Sequence, residues 1–433
     1  MKRAIVVGSG AGGATVAGEL QGGCGYDVTV LEAGRAFRPF GLSLSSLAKL
    51  RKTGLFFDER QIQWLFPPMR ISRTPEPLIV VRGMGLGGTT TLSAGNALRV
   101  DGQLQALGIH LDEEFAALYR EIPVSTDHQR QWRPATRRLF EICREMDLNP
   151  FPTPKMGEYA RCVNCGRCVL GCPQGVKWDS RRFLEGAIAK GARVMTGCRV
   201  TQVVLKGGKA VGVAVKRGPR RLFIPADLVV LAAGGMGTPV ILQNSGIPCE
   251  ERLFLDPVYC VAAEWRDSLQ NKELSMPFVA QRDGYILSPY FDHLSFYFNK
   301  QWRRPGDRIL SLMIKLADAN CGSVTGRRVD KRLTAADRRK LAEGVAVCTE
   351  ILARLGIDGK KVFFGTLNAG HPGGMLPLTA AEAASFHSPR LPDNVYVADA
   401  TLFPESLGNP PIFTIMALAK RVAKICLENR GRY

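Results

Sequence analysis

The run Ala4-Ile5-Val6-Val7-Gly8-Ser9-Gly10-Ala11-Gly12-Gly13 constrains the fold more than any other segment. A short apolar strand enters a glycine-rich turn, and Gly12 to Leu20 then reads as a helix. Gly8 allows the tight turn, Gly10 lets the backbone approach a diphosphate, and Gly13 lets the helix pack on the strand. The diphosphate rests on the helix N-terminus, where free N–H groups and the dipole favour negative charge. Asp27 to Leu31 forms the second strand, and Glu32 follows in Val28-Thr29-Val30-Leu31-Glu32-Ala33-Gly34, where an acid bonds ribose hydroxyls. A glycine-rich turn without a ligand would explain neither the strand–turn–helix order nor the position of this acid. The first 34 residues therefore read as a dinucleotide-binding βαβ unit.

At 433 residues the chain is longer than one core usually holds, so two domains are expected. No apolar run is long enough to span a bilayer. The N-terminus runs directly into a strand and leaves no room for a secretory signal, so a cytoplasmic location is expected, with docking on the inner membrane face as the variant. The net charge of +19 reads either as a solvated basic surface or as a match for an acidic partner, such as an electron-transfer protein or an anionic membrane. No nucleic acid is expected, because the basic residues are scattered and no helix-turn-helix, RRM or zinc-finger pattern is present. Twelve cysteines without an export signal argue against a disulfide framework. Eight are scattered (Cys24, Cys143, Cys198, Cys249, Cys260, Cys321, Cys348, Cys426) and read as small buried hydrophobes.

Helical spacing marks Gly108 to Glu121, Thr136 to Met146, Ser180 to Lys190, Ala335 to Leu355 and Ile412 to Leu427. Strands are expected around a Gly207-Gly208 hairpin, at Leu228 to Leu231, over Tyr285 to Phe298, and at Val395 to Ala398. Glycine-rich elements lie at the start, middle and end of the chain. That order fits a discontinuous nucleotide domain (1–100, 160–257 and 365–433) with an inserted α+β substrate domain (101–159 and 258–364) better than two beads on a string. The fold class is α/β, with a Rossmann-like main domain.

Three later segments select the dinucleotide. Arg82-Gly83-Met84-Gly85-Leu86-Gly87-Gly88-Thr89-Thr90 is a glycine-dense loop that resembles a flavin-contacting loop, in which glycines let the backbone lie against the pyrophosphate and the ring edge. Gly234-Gly235-Met236-Gly237-Thr238-Pro239 through Ile247 follows a buried strand, and Val397-Ala398-Asp399-Ala400 ends another. In these motifs the chain resembles the glucose–methanol–choline (GMC) oxidoreductases, nearest to cholesterol oxidases and long-chain alcohol oxidases. The resemblance implies FAD rather than NAD. It carries cofactor contacts onto Gly8, Gly10, Gly13, Glu32, Arg82, Gly83, Gly87, Gly88, Thr89, Ala233, Gly234, Thr238, Asp399 and Ala400. Ser93 stands where relatives carry an Asn near the flavin, and Asn96 lies three residues on; both join the set. The chain is shorter than typical family members, which implies a reduced substrate domain.

Gly370-His371-Pro372-Gly373-Gly374-Met375 resembles the motif of the family's active-site histidine, and Asn409-Pro410-Pro411 its downstream Asn-Pro motif. Oxidising an alcohol removes a hydroxyl proton while hydride leaves the carbon, and a neutral imidazole suits that proton. The resemblance makes His371 the acid/base and Asn409 the amide that orients the hydroxyl. One extra residue separates Asn409 from Thr414, so helix capping is the competing role for Asn409. A structural turn is the competing role for His371. His110, His128, His293 and His387 read as surface or core residues.

Cys162-Val163-Asn164-Cys165-Gly166-Arg167-Cys168-Val169-Leu170-Gly171-Cys172-Pro173 has the spacing of a bacterial ferredoxin run. A [4Fe-4S] cluster on Cys162, Cys165, Cys168 and Cys172 is the expected reading, with a remote cysteine such as Cys198 as the alternative fourth ligand. Zinc, a three-iron cluster or a metal-free turn are the rivals. The whole reads as an FAD-dependent dehydrogenase acting on the CH–OH group of a hydrophobic small-molecule alcohol. Electrons would pass through the cluster to a protein or quinone acceptor. Two alternatives stay open: a reductase of a C=C or C=O bond fed by a low-potential donor, and an electron-transfer subunit with no substrate of its own.

Overall fold

The computed structural model describes residues 1–23, 25–41 and 58–432; Cys24 lies outside them. β1 (Lys2–Val7), α1 (Ala11–Gly22) and β2 (Tyr26–Leu31) form the expected unit, with the two strands parallel. They belong to a five-stranded parallel sheet in the order Val395–Val397, Leu228–Leu231, β1, β2, Arg193–Met195. Each central strand is an unbroken apolar run, so both faces need cover. The helix Ile412–Glu428 packs against α1 and buries Phe413, Met416, Ala417, Val422 and Ala423. Leu104, Ile109, Leu111, Phe115, Leu118 and Ile122 join the same core. The sheet thus draws its strands from the start, middle and end of the chain. A three-stranded antiparallel meander, Arg199–Lys206, Lys209–Arg217 and Arg220–Pro225, turns at Gly207-Gly208.

A second, mostly antiparallel sheet runs in the order Met69–Arg73, Ile79–Gly83, Asn368–Ala369, Pro257–Glu264, Ile309–Leu316, Tyr285–Pro289, Phe278–Arg282, Phe151–Pro152. Side chains alternate across it. On Ile309–Leu316, Leu310, Leu312, Ile314 and Leu316 share one core with residues of the helices Pro134–Glu145 and Ala335–Ala353. Met313 faces the other way, into a core with Phe291, Phe296 and Trp302. Lys315 has the same parity as Met313, so a lysine on an apolar strand turns towards that second face. Strand was expected throughout Tyr285 to Phe298, but the strand stops at Pro289 and His293–Phe298 is a helix. Asp292 breaks the pattern by capping that helix, accepting from Leu294 N at 3.0 Å and Ser295 N at 3.3 Å.

Candidate active site

A groove of about 910 Å³ crosses the carboxyl ends of the parallel strands. Gly8, Gly10, Glu32, Arg82, Gly83, Gly88, Thr89, Ala233, Gly234, Asp399 and Ala400 all line it. Gly13, Gly87 and Thr238 stand behind its surface. A Cβ on Gly13 would lie 2.1 Å from Gly8 O, so this glycine serves helix–strand contact. Thr238 Oγ donates to Asp399 Oδ2 at 2.6 Å and accepts from Ala233 N at 3.0 Å. Asp399 also accepts from Gly234 N at 2.8 Å and Thr401 N at 2.9 Å, which clamps the middle motif to the last one.

Glu32 is buried and accepts from Ser9 Oγ at 2.6 Å, Ser9 N at 3.1 Å and Gly34 N at 2.7 Å. Burial raises its pKa, against those hydrogen bonds. Ser9 Oγ accepts in turn from Gly87 N at 3.1 Å, joining the first two glycine loops. Arg70, Arg82 and Arg199 line the groove, and Arg199 lies near enough to the Glu32 carboxylate to favour its charged form. The Nε atoms of Arg70 and Arg82 are buried with no acceptor, and burial together with Arg199 lowers the pKa of both guanidinium groups. Orphaned guanidinium donors beside two glycine loops are the chemistry a diphosphate satisfies.

A second cavity, about 170 Å³, adjoins the groove and is walled largely by apolar side chains such as Phe40, Phe66, Leu92, Leu170, Tyr297 and Met313. Thr89, Gly370, His371 and Ile412 line both spaces. The backbone after His371 is docked closely: Gly374 N donates to Ala400 O at 3.0 Å, and a Cβ on Gly373 would fall 2.3 Å from that same carbonyl. The His371 side chain is 23% accessible, yet its Nδ1 is sealed and without a hydrogen-bond partner. Burial, then the nearby Lys315 ammonium, holds its pKa well below the ordinary histidine value.

Lys315 lines the apolar cavity and pairs with Asp256. Asp256 also accepts from Ser406 Oγ, and its Oδ2 lies 3.8 Å from His371 Nδ1. Burial pushes Asp256 up and Lys315 down, and their contact opposes both shifts. Asn409 is buried but does not line the cavity, whereas the next residue, Pro410, does. Its Oδ1 accepts from Gln281 Nε2 at 2.9 Å. Ser93 and Asn96 line the apolar cavity rather than the groove. His128 is structural, accepting from Trp132 Nε1 at 3.0 Å, while His293 lines the apolar cavity and donates to Gly166 O at 3.0 Å.

Cys162, Cys165, Cys168 and Cys172 all line a third, small cavity, with Tyr159, Lys177 and Leu274. Cys198 does not: it is buried at the nucleotide groove. Burial, reinforced by the neighbouring thiols, pushes Cys162 up to about 11. Among the described residues no three His, Cys, Asp or Glu side chains are gathered as a metal-binding group. The donor chemistry nevertheless suits a cationic metal core: four thiols and Lys177 line one space, and Lys155 lies near enough for Cys168 and Cys162 to act on its charge. Lys177 donates to the carbonyls of Thr90, Thr91 and Ser93 at 2.9–3.1 Å. Lys155 donates to Ala94 O at 3.1 Å, Ser275 O at 2.6 Å and Asn96 Oδ1. The cysteine cavity is thereby tied to the loop that walls the other two spaces. The turn Cys168–Leu170 separates it from the apolar cavity, with Cys168 on one side and Val169 and Leu170 on the other.

Sequence reading missed Lys315, Asp256, Lys155, Lys177, Arg70 and Arg199. One signal was present: Lys315 is the only charge in the apolar strand Ile309–Leu316. The others are recognisable only once distant segments meet.

Among known proteins, residues 3–261 match the family profile described as GMC oxidoreductase. An uncharacterised protein of Methanocaldococcus jannaschii is 26% identical over 429 residues, 97% of this chain and 98% of that one. A long-chain-alcohol oxidase of Arabidopsis thaliana is 22% identical, covering 99% of this chain and 66% of its own. The solved structure of pyridoxine 4-oxidase from Mesorbium loti superposes with a TM-score of 0.72 at 16% identity, over 98% of this chain and 99% of that one, and so shares its fold. The profile spans more than half of the sequence, carries the glycine motifs of the groove and supports FAD as its dinucleotide: the chain belongs to the GMC oxidoreductase family.

Proposed function

We propose that this protein is an FAD-dependent dehydrogenase that oxidises the CH–OH group of an uncharged, largely apolar alcohol. The observation that carries the reading is the place of His371, on the boundary between the nucleotide groove and the apolar cavity. Bound FAD supplies the two-electron acceptor of the reaction. His371, kept neutral by burial and Lys315, takes the hydroxyl proton. Phe40, Phe66, Leu92 and Met313 exclude water from the reacting end and hold an apolar body. The charged side chains of that cavity are already engaged, Lys315 by Asp256 and Asp292 by its own helix, which favours a neutral substrate. The Arabidopsis relative, named for long-chain alcohols, agrees with that class. Asn409, held by Gln281, contributes by fixing the loop that brings Pro410 to the cavity.

The same reading gives Cys162, Cys165, Cys168 and Cys172 an iron–sulfur cluster, which would supply a one-electron exit to a protein or quinone acceptor. Its support is the shared cavity of the four thiols, one short turn away from the apolar cavity. The +19 charge suits an acidic carrier protein or an anionic membrane surface as the place of that exit. Protein purified without oxygen is expected to contain about four irons and matching sulfide per chain. Stoichiometric zinc without iron, or no metal, would remove the cluster and return the choice of acceptor to O₂.

A further inference from the structure

His371 has one ring nitrogen with nothing to bond. Nδ1 is sealed from solvent and lacks a partner, and a buried polar atom in that state is costly. The nearest anion is Asp256 Oδ2 at 3.8 Å, slightly beyond hydrogen-bond reach. Catalytic hydrogen bonds are often long before substrate binds and tighten afterwards. Asp256 is itself held with unusual firmness. Its carboxylate meets Lys315 and Ser406, its backbone N–H donates to Asp318 at 2.8 Å, and its φ is +53°. A non-glycine residue in the left-handed region is uncommon and marks a position fixed by its surroundings. Behind it, Lys331 pairs with Asp318 at 2.8 Å with both side chains fully buried. Two ion pairs therefore fix one carboxylate opposite one orphaned imidazole nitrogen.

We propose that Asp256 is the positioning residue of His371: it accepts the Nδ1–H, fixes the neutral tautomer, and leaves Nε2 as the basic nitrogen, while Lys315 and Ser406 hold the carboxylate in place. This inference rests on the reading of His371 as the base. Asp256 acts only through His371 and does not line the cavity.

The test reads the tautomer directly, so it needs no substrate. The chain has five histidines, so a spectrum of ¹⁵N-histidine-labelled, FAD-loaded protein is sparse, and His371→Gln assigns the signal by its loss. The neutral ring is expected to carry its proton on Nδ1, and Asp256→Asn is expected to abolish that preference. Asp256→Asn leaves Lys315 buried without its anion and is prone to misfold. The paired variant Asp256→Asn with Lys315→Met removes both charges, keeps the volume, and must show the same tautomer change. A proton found on Nε2 in the wild type, or a tautomer unchanged in either variant, overturns the proposal. Kinetics separate this failure from failure of the base reading. With an alcohol that bleaches the wild-type flavin, Asp256→Asn should slow the limiting reduction rate about a hundredfold while leaving the apparent Kd of the alcohol in place. Asp256→Asn with His371→Gln should be no slower than His371→Gln alone. Multiplying losses would make Asp256 merely structural, whereas a His371→Gln variant at wild-type rate would instead remove the base.

Discussion

Among the described residues four lysines are buried to 3% exposure or less, and they fall into two pairs with different surroundings. Lys315 and Lys331 each meet an aspartate, Asp256 and Asp318. Lys155 and Lys177 meet only carbonyl and amide oxygens. Burial therefore drives their pKa values down, to about 7 for Lys155, where Cys168 and Cys162 push back, and to about 8 for Lys177, where Asp179 and then Cys168 and Cys172 push back. The two sides of the loop 88–96 are thus prepared for different contents. The apolar cavity is electrically self-contained and suits a neutral molecule. The cysteine cavity has beside it two buried lysines that form no ion pair among the described residues, and an anionic content such as thiolates on a metal core would favour their charged forms.

The largest expected effect is on turnover. His371→Gln should retain FAD and reduce it with substrate two to four orders of magnitude more slowly, the usual scale of general acid–base catalysis. An unchanged rate would detach His371 from the reaction. Next comes stability. Lys315→Met leaves Asp256 buried without its cation, at a cost of about 3–5 kcal/mol. Lys177→Met strands no buried carboxylate and should cost metal-free protein less. Equal shifts in the two denaturation midpoints would erase the contrast between the pairs.

A pH titration sharpens it further. Burial pushes His128 and His293 down to about 4. Between pH 6.5 and 4 the unfolded chain binds protons at these positions that the folded chain does not, so stability falls as pH falls. The slope approaches about 1.4 kcal/mol per pH unit for each histidine well inside that window. His293 bonds Gly166 of the cysteine run, so acid should loosen that end of the molecule. Asp292, raised by burial to about 6, works in the opposite sense over the same range, so the measurement is the midpoint of the wild type relative to His128→Phe; a difference that stays constant from pH 7 to 4.5 would contradict this. The smallest effect belongs to the groove: Arg82→Ala should weaken FAD binding about tenfold, the scale of one charge-assisted hydrogen bond. An unaltered FAD titration would place the diphosphate away from Arg82.

Much of the groove was legible because its motifs are local. Gly8, Glu32 and Gly88 act within a few residues of a strand end, and their spacing already implies the turn and the ligand. The surroundings of His371 were legible only in part. His371 sits in a recognisable motif, but its neighbour Asp256 reaches Lys315 through strand pairing, with Val258 opposite Lys315 in the register. No periodicity within either segment announces that pairing. Asn409 shows the limit of motif reading: its position suggested an orienting amide, yet its partner Gln281 comes from a strand 128 residues away. The cysteine spacing suggested a metal cluster, and the four thiols do line one cavity; that Lys177 would line it with them and Lys155 lie close by followed only from packing.

The most direct test of the account is to mix FAD-loaded protein with neutral alcohols of increasing chain length, without oxygen, and to follow the flavin absorbance. Bleaching is predicted, faster for alcohols with a longer apolar body and abolished on this timescale in His371→Gln. A flavin that stays oxidised with every alcohol yet bleaches with a reduced ferredoxin would contradict it, and would favour the reductase reading.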